Sequence, residues 1–300
     1  MGKYLGSFFP IVILATSYFF VFSFLIYRRW KTKHKKNPLT IKLLRAPGES
    51  LKTEIEDLTQ DIMIYIFFVP AVPFLFVCMH LSQSYIGGMP ETIGRFLVNF
   101  FGMLFVTGYL IHLLSKKVSR RAHFRLGYDA ERATGQELNG LLAHGYKVFH
   151  DIPGDKFNID HVVVGPNGVF IVETKGRAKN SSVEGADKAT ITYDGNTLKF
   201  PTWTETKPIE QAKWNAKWLS KELSSAVGET LKVEPVLSIP GWFVERKSNA
   251  SPRIYNGKNP EHLFLKYNVQ SLSEQTVSRI IHQLERLVND VQPQAYQISQ

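Results

Sequence analysis

Three ionisable side chains stand out because they lie where apolar residues belong. Ile159 to Val164 and Val169 to Thr174 are two β-branched-rich runs separated by Gly165-Pro166-Asn167-Gly168. That punctuation predicts a hairpin. With those four residues as the loop, Val164 faces Val169, and counting back sets Asp160 opposite Glu173. Side chains alternate along a strand, so Asp160, Val162 and Val164 share a face. Val169, Ile171, Glu173 and Lys175 lie on the same face across the ladder. Two carboxylates and an ammonium therefore converge at one end of the hairpin. Like charges opposed across a sheet destabilise it. A cation should compensate, and oxygen ligands at this spacing suit Mg²⁺ or Mn²⁺. Lys175 can cover part of the charge and is also placed to touch a phosphate. Such a set could carry out metal-assisted phosphodiester hydrolysis, the metal activating water and the lysine orienting it. A solvated hairpin end would contain the same three residue types. The almost wholly apolar strands around them argue for a site instead.

The elements that must hold this hairpin alternate in type. A helix is expected from about Asp129 to Ala143, stopping at Gly145, then a strand over Tyr146 to Ile152 and the turn Pro153-Gly154-Asp155. Residues 176 to 205 are polar and irregular, with a possible hairpin at Asp194-Gly195. Pro208 suits the first position of a helix. Behind it Ile209, Ala212, Ala216, Leu219 and Leu223 follow a 3-4-3-4 spacing that marks a buried face. Pro235 to Val244 reads as one core strand. A capping-box pattern, Ser271-Leu272-Ser273-Glu274, opens a last helix whose apolar face is Val277, Ile280, Ile281, Leu284, Leu287 and Val288. About 180 residues of mixed α/β sequence are enough for one sizeable core.

These residues resemble a known family. Asp160, twelve residues, then Glu173-Thr174-Lys175 look like the D…(D/E)xK signature of restriction-endonuclease-like nucleases. Residues 124 to 240 are similar to the NERD, or nuclease-related, domain. The resemblance rests on Gly127-Tyr128-Asp129-Ala130-Glu131, on Asn158 to Pro166, on Gly168 to Lys175 and on Pro208-Ile209-Glu210-Gln211-Ala212. It implies a restriction-endonuclease-like α/β/α core with a central mixed sheet, and Mg²⁺-dependent DNA cleavage. It also implies roles. Asp160 and Glu173 would be metal-binding carboxylates and Lys175 the catalytic lysine. Glu131 would be an acid of the first helix supporting the metal, and Gln211 the glutamine of the later helix. Ala130 departs from the glycine many members have there, which leaves Glu137 as runner-up to Glu131. From the residues alone, Glu131 could equally be a solvated helix-start acid, and Gln211 an exposed polar residue. Beyond Gln211 come Lys213, Trp214, Lys217 and Trp218, which could stack on bases and meet phosphates or simply pack at an edge. His161 points away from Asp160 in this register and stays outside the expected site.

The first 119 residues differ in kind. Phe8 to Tyr27, Ile62 to Leu81 and Phe96 to Leu114 are uncharged runs of 20, 20 and 19 residues. Each is long enough to cross a ~30 Å hydrocarbon layer. Arg28-Arg29-Trp30-Lys31 stands where a signal-peptide cleavage site would be. Three transmembrane α-helices are therefore expected, with Pro10, Pro70 and Pro73 bending the first two. Nine Lys/Arg lie between the first two runs, one between the next two, and Lys116, Lys117, Arg120 and Arg121 after the third. That pattern places the N-terminus outside and the rest of the chain on the cytoplasmic side. Thr53 to Asp61 reads as a short acidic surface helix before the second run. Up to residue 119 there are 13 Lys/Arg and 6 Asp/Glu, a balance of +7; from Arg120 onward, 23 and 20 give +3. The basic excess thus belongs mostly to topology and argues little for nucleic acid. The single cysteine, Cys78, rules out a disulfide framework. No acid or base lies mid-run, which argues against a pump or transporter.

The expected organisation is an anchor over 1–119, a nuclease-like domain over 120–245, and a C-terminal extension over 246–300 whose helix packs on that domain. The expected function is a membrane-anchored, Mg²⁺- or Mn²⁺-dependent nuclease at the cytoplasmic face of the plasma (inner) membrane. Its partners would be the lipid bilayer and DNA, with RNA left open, and it would act in defence against incoming DNA or in its processing. The competing expectation is a non-catalytic, membrane-tethered nucleic-acid-binding or scaffold module.

Overall fold

The computed structural model describes residues 2–180 and 189–293. In chain order the elements are α1 (Gly2–Thr32), β1 (Leu43–Leu44), α2 (Glu49–Tyr85), α3 (Ile93–Leu138), β2 (Lys147–Pro153), β3 (Asn158–Gly165) and β4 (Gly168–Thr174). Then follow β5 (Thr190–Tyr193), β6 (Leu198–Lys199), β7 (Thr204–Glu205), α4 (Lys207–Val227), β8 (Val233–Ser238), β9 (Phe243–Arg246) and β10 (Arg253–Tyr255). The last are α5 (Glu261–Phe264), α6 (Glu274–Val288) and β11 (Asn289–Val291).

The chain divides into two compact units. One comprises the residues up to Thr40 together with Glu56–Arg121; the other comprises Ile41–Ile55 and Ala122–Gln292.

In the first unit, apolar side chains face outward. Phe19, Phe20, Val98 and Phe105 are all exposed. Two helices, Glu49–Tyr85 and the one starting at Ile93, are long and apolar enough to cross a membrane. The first expected run lies on α1, where the side chains of residues 2–11 and 14 fall outside the described residues. Polar groups here pair with one another. Lys117 Nζ is 2.6 Å from Asp61 Oδ2, Arg121 donates to Thr59 Oγ1 at 2.7 Å, and Asn99 meets His80 at 2.9 Å. Pro70 and Pro73 lie inside α2. Thr53 to Asp61 is no separate helix, because α2 runs unbroken from Glu49. Likewise the helix expected to start near Asp129 begins at Ile93. Residues 115–128 are polar but contain no proline, and their only glycine, Gly127, does not interrupt the turn.

The second unit is a mixed α/β arrangement, compatible with a nuclease-like fold. Its main sheet has the order β10-β8-β4-β3-β2. Strands β2, β3 and β4 are antiparallel neighbours, whereas β8 runs parallel to β4 and β10 parallel to β8. One face carries Val162, Val164, Val169 and Ile171, packed on Ala212, Ala216, Leu219 and Leu223 of α4 and on Ile280, Leu284 and Val288 of α6. The 3-4-3-4 face of α4 is buried as its spacing requires. The other face carries Val163, Phe170, Val172 and Val236 against Leu138, Leu141 and Phe264. A second sheet, β7-β6-β5-β9, packs its own core of Ile191, Tyr193, Leu198 and Trp242. Pro235 to Val244 is two strands in two sheets, because Pro240 and Gly241 (φ +82°) break the extended backbone. The cap of α6 is Ser273, whose hydroxyl accepts Thr276 N–H at 3.1 Å. β1 pairs with β11, tying the Ile41–Ile55 segment into this unit.

Hairpin register decides where the charges go. Val164 pairs with Val169 and His161 with Val172, as counting from the turn requires. Gly165 and Gly168 also pair, so the loop proper is only Pro166-Asn167. Gly168 sits at φ +131° with Val269 pressed where a Cβ would be, a backbone state open to glycine. The turn is held from outside. Tyr146 OH donates to the Asn167 side chain, Asn167 Nδ2 donates to Phe264 O at 2.8 Å, and Val269 N–H donates to Asn167 O at 2.9 Å.

Candidate functional site

Beyond His161 and Val172 the β3–β4 ladder stops. Asp160 and Glu173 come next on each strand but are not joined by backbone pairing. Instead, Thr174 N–H donates to Asp160 Oδ2 at 2.6 Å, a side chain standing in for a strand. β4 itself continues on its other edge, pairing Glu173 with Leu237 and Thr174 with Ser238, and Lys175 N–H bonds Ser238 O at 2.9 Å. The fork therefore opens on the β3 side only, where the two carboxylates lie.

From the α4 face, two residues one turn apart reach this fork. Asn215, 1% exposed, donates to Glu173 Oε2 at 2.9 Å, and Gln211 Oε1 accepts from Lys175 Nζ at 3.0 Å. Lys175 Nζ also lies 2.6 Å from Glu173 Oε1. Glu173 is 1% exposed with both oxygens engaged, while the Lys175 side chain keeps 20% of its surface in contact with water.

From the opposite face, α3 brings Glu131, 8% exposed. The close approach depends on Gly176. A Cβ there would lie 2.6 Å from Leu126 O and 3.1 Å from the Ala130 methyl. Glycine at 176 thus leaves room for alanine at 130, and the departure from the family pattern at that position costs no space. Glu137, the runner-up, is exposed.

The electrostatics record the crowding. Burial, then the Asp151 and Glu173 carboxylates, push the Glu131 pKa up to about 8, with Lys175 pulling the other way. Burial, then Glu173 and Glu131, lift Asp160 well above the usual carboxylate range. Burial pulls the Lys175 ammonium down, but Glu173 and Asp160 outweigh it, and its pKa is raised. Glu131, Asp160, Glu173, Lys175 and Gln211 are thus brought within reach of one another from three separate stretches of sequence.

Other expected residues are placed differently. Trp214 and Trp218 stand edge-on to Phe157, with centroids 4.6 and 5.0 Å away, and Trp214 keeps 52% of its surface exposed. Lys213 and Lys217 lie on the other flank of α4, lining a cleft with Lys232. Lys213 and Lys217 thus line the cleft while Trp214 and Trp218 lie against Phe157, consecutive helical residues being turned about 100° from one another. His161 is buried on the α3 side and its Nδ1 meets His150 Nδ1 at 2.9 Å. Burial lowers both imidazoles, His150 to about 4, so the pair is neutral.

Two partners escaped the sequence reading. Asn215 could have been found as the polar residue one turn beyond Gln211 beside the apolar stripe. The Arg177–Glu205 pair, with both contacts at 2.8 Å and Trp203 Nε1 adding a third bond at 2.7 Å, joins irregular segments and leaves no pattern to read.

Whether a divalent cation fits can be tested on the donors. Asp160, Glu173 and Glu131 offer only hard oxygen atoms, and one ammonium faces three carboxyls. Burial first, and then the surplus negative charge, raises the proton affinities of Glu131 and Asp160. Among the described residues, no three or more acidic, histidine or cysteine side chains are grouped so that they could hold a metal ion. An ion held by one or two carboxylates and completed by water is the arrangement Mg²⁺ favours. Asp160 and Glu173 carry oxygen donors of the kind such an ion takes.

Compared with known families, residues 126–240 match NERD, the nuclease-related domain. Neither curated proteins nor solved structures give a match to the chain.

Proposed function

We propose that the chain is a membrane-anchored, divalent-cation-dependent nuclease that hydrolyses DNA phosphodiester bonds at the cytoplasmic face of a bilayer. The observation that carries this reading is the fork at the end of β4, where Asp160, Glu173, Lys175, Gln211 and Glu131 gather although the chain separates them by up to 80 positions. The match to the nuclease-related domain over the same residues supports it.

In this reading Asp160 and Glu173 hold Mg²⁺ or Mn²⁺, with Glu131 supporting the ion from α3. The ion would supply charge neutralisation at the scissile phosphate and an acidified water. The chain's own groups do the rest. Lys175, engaged with Glu173 Oε1 and Gln211 Oε1, would turn its remaining ammonium proton toward the fork. There it orients the attacking water and contacts a non-bridging phosphate oxygen. Asn215 keeps Glu173 from rotating, and Thr174 N–H does the same for Asp160. Burial on both sheet faces excludes bulk water, which strengthens each of these contacts.

The anchor belongs to the same proposal. Three spans, with α1 as the first, agree with nine Lys/Arg between the first two apolar runs and one between the next two. Confinement to a surface would restrict cleavage to DNA arriving there, as in defence or uptake.

The test is cleavage of plasmid and linear DNA by the full chain in detergent, with Mg²⁺, with Mn²⁺ and with chelator. The full chain is needed because a fragment beginning at residue 120 would lack β1 and Arg45, which bonds Asp151 and Asp290. Asp160→Asn and Lys175→Ala should each lose about 10²-fold or more, the scale of a removed charge-stabilising group, while thermal unfolding stays cooperative. Full activity in both variants would reject the site. A second reading follows from Glu173 having both oxygens already satisfied within the chain. A binding module with this fold would hold DNA equally well in chelator and never cut it.

A further inference from the structure

A cleft of about 530 Å³ lies on the flank of α4 turned away from Gln211 and Asn215. Lys213, Lys217, Ser220, Lys232, Tyr267 and Asn268 line it. The three lysines are exposed, and among the described residues none of their ammonium groups has a hydrogen bond or ion pair. Two come from α4 and the third from the residue just before β8, so they are gathered by the fold and not by a run of basic sequence. A lone carboxyl, Glu234, shares the wall; burial raises its proton affinity and so weakens its opposition, with Arg253 acting the other way.

On the strength of the nuclease reading, we infer that this cleft holds the sugar-phosphate backbone of the same nucleic-acid strand at a distance from the bond being cut. Three unpaired ammonium groups, a phenol and an amide around an open cleft are donors suited to successive phosphate oxygens, while the Ser220 hydroxyl is spent on Leu231 O at 2.6 Å. They offer no closed pocket that would select a small anion. The helix sets the spacing. A strand reaching from the fork to the cleft must cross α4, about 10–12 Å wide with its side chains. At ~3.4 Å per nucleotide step along a stacked strand, that is about three to four nucleotides. The substrate is thereby a polymer: short oligonucleotides fill the fork only, whereas longer ones also occupy the cleft.

The experiment measures binding by the full chain in detergent, in chelator, by fluorescence anisotropy of labelled single-stranded oligonucleotides of 2 to 16 nucleotides. Affinity should rise with length beyond about four nucleotides. The triple variant K213A/K217A/K232A should weaken the 16-mer about tenfold or more. It should also lower the slope of log K against log salt by about 2, at ~0.7 per single-strand phosphate contact. The variant K213R/K217R/K232R keeps the charges and should retain the slope, which separates lost phosphate contacts from lost fold. Unchanged 16-mer affinity and slope in a triple alanine variant that still melts cooperatively would overturn the inference. So would alanine substitution that spares the 16-mer but abolishes binding of a labelled water-soluble short-chain phosphatidylserine, since the cleft would then serve lipid headgroups. A wild-type chain that binds long strands with this slope yet never cleaves removes the nuclease reading and leaves the cleft. Cleavage with no dependence of binding on length does the reverse.

Discussion

The two units place the same kind of residue in opposite positions. Around α1, α2 and α3 of the first unit, Phe, Val, Ile and Leu point outward, and the apolar stretches of the two candidate crossing helices bury nothing. In the second unit those residues fill both faces of a five-stranded sheet, many with no exposed surface at all. Apolar burial is favourable only relative to water. Outward apolar helices are what a hydrocarbon surrounding selects, since a helix satisfies its own backbone. Polar groups invert in step. In the first unit Lys117 pairs with Asp61; in the second Lys175 pairs with the buried Glu173 at one end of β4. What is scarce in each surrounding is where function is to be sought.

The largest test of this contrast exchanges the residue types. Leu219→Ala, at a fully buried position, should cost about 2–5 kcal/mol of stability in the second unit, measured by chemical denaturation of the detergent-solubilised chain. Phe101→Asp, at a position 60% exposed, should cost about 2.5–3.5 kcal/mol in membrane insertion, whereas in water an exposed Asp would cost almost nothing. Undiminished membrane association of that variant breaks the comparison. Next in size is Asn215→Ala, which leaves a buried Glu173 oxygen without its donor and should cost about 1–3 kcal/mol. Cleavage should fall with it.

A smaller effect is pH dependence in chelator. Glu131 binds its proton more tightly folded than unfolded, so its contribution is fully present below the ordinary carboxylate range. It is lost as pH rises toward about 8. The melting temperature should therefore decline between about pH 5 and 8, and Glu131→Gln should flatten the decline. A slope unchanged by that substitution would separate Glu131 from the acidic cluster. Smallest of all, Arg279→Ala removes an exposed pair with Glu229 at 3.5 Å and should change stability by under about 0.5 kcal/mol.

Legibility followed the range of the interactions. The hairpin could be read because its turn is local and its alternation regular; the register holds from Val164–Val169 to His161–Val172, but the ladder ends before the expected Asp160–Glu173 pair. The buried face of α4 could be read for the same reason. The continuity of α3 could not, because nothing in residues 115–128 signals either a break or its absence. The split between β8 and β9 was marked by Pro240-Gly241 yet overridden by the apolar run across it. Least legible was the membership of Ile41–Ile55 in the second unit. It rests on Arg45 and Ser50 meeting Asp151 about a hundred positions later, and no period in the sequence encodes that.

Two repelling carboxyls end a hairpin whose opposite tip is clamped by Tyr146, Phe264, Val269 and Gln270 on Asn167. Six residue steps at ~3.3 Å each separate Asn167 from Glu173, about 20 Å. The clamp is a datum point: it absorbs the strain that would otherwise let the strands slide to part the charges. Loosening it, as Asn167→Ala would, should misalign reactive groups it never touches, and loss would be of the whole constellation at once, since a strand cannot slip by half a residue.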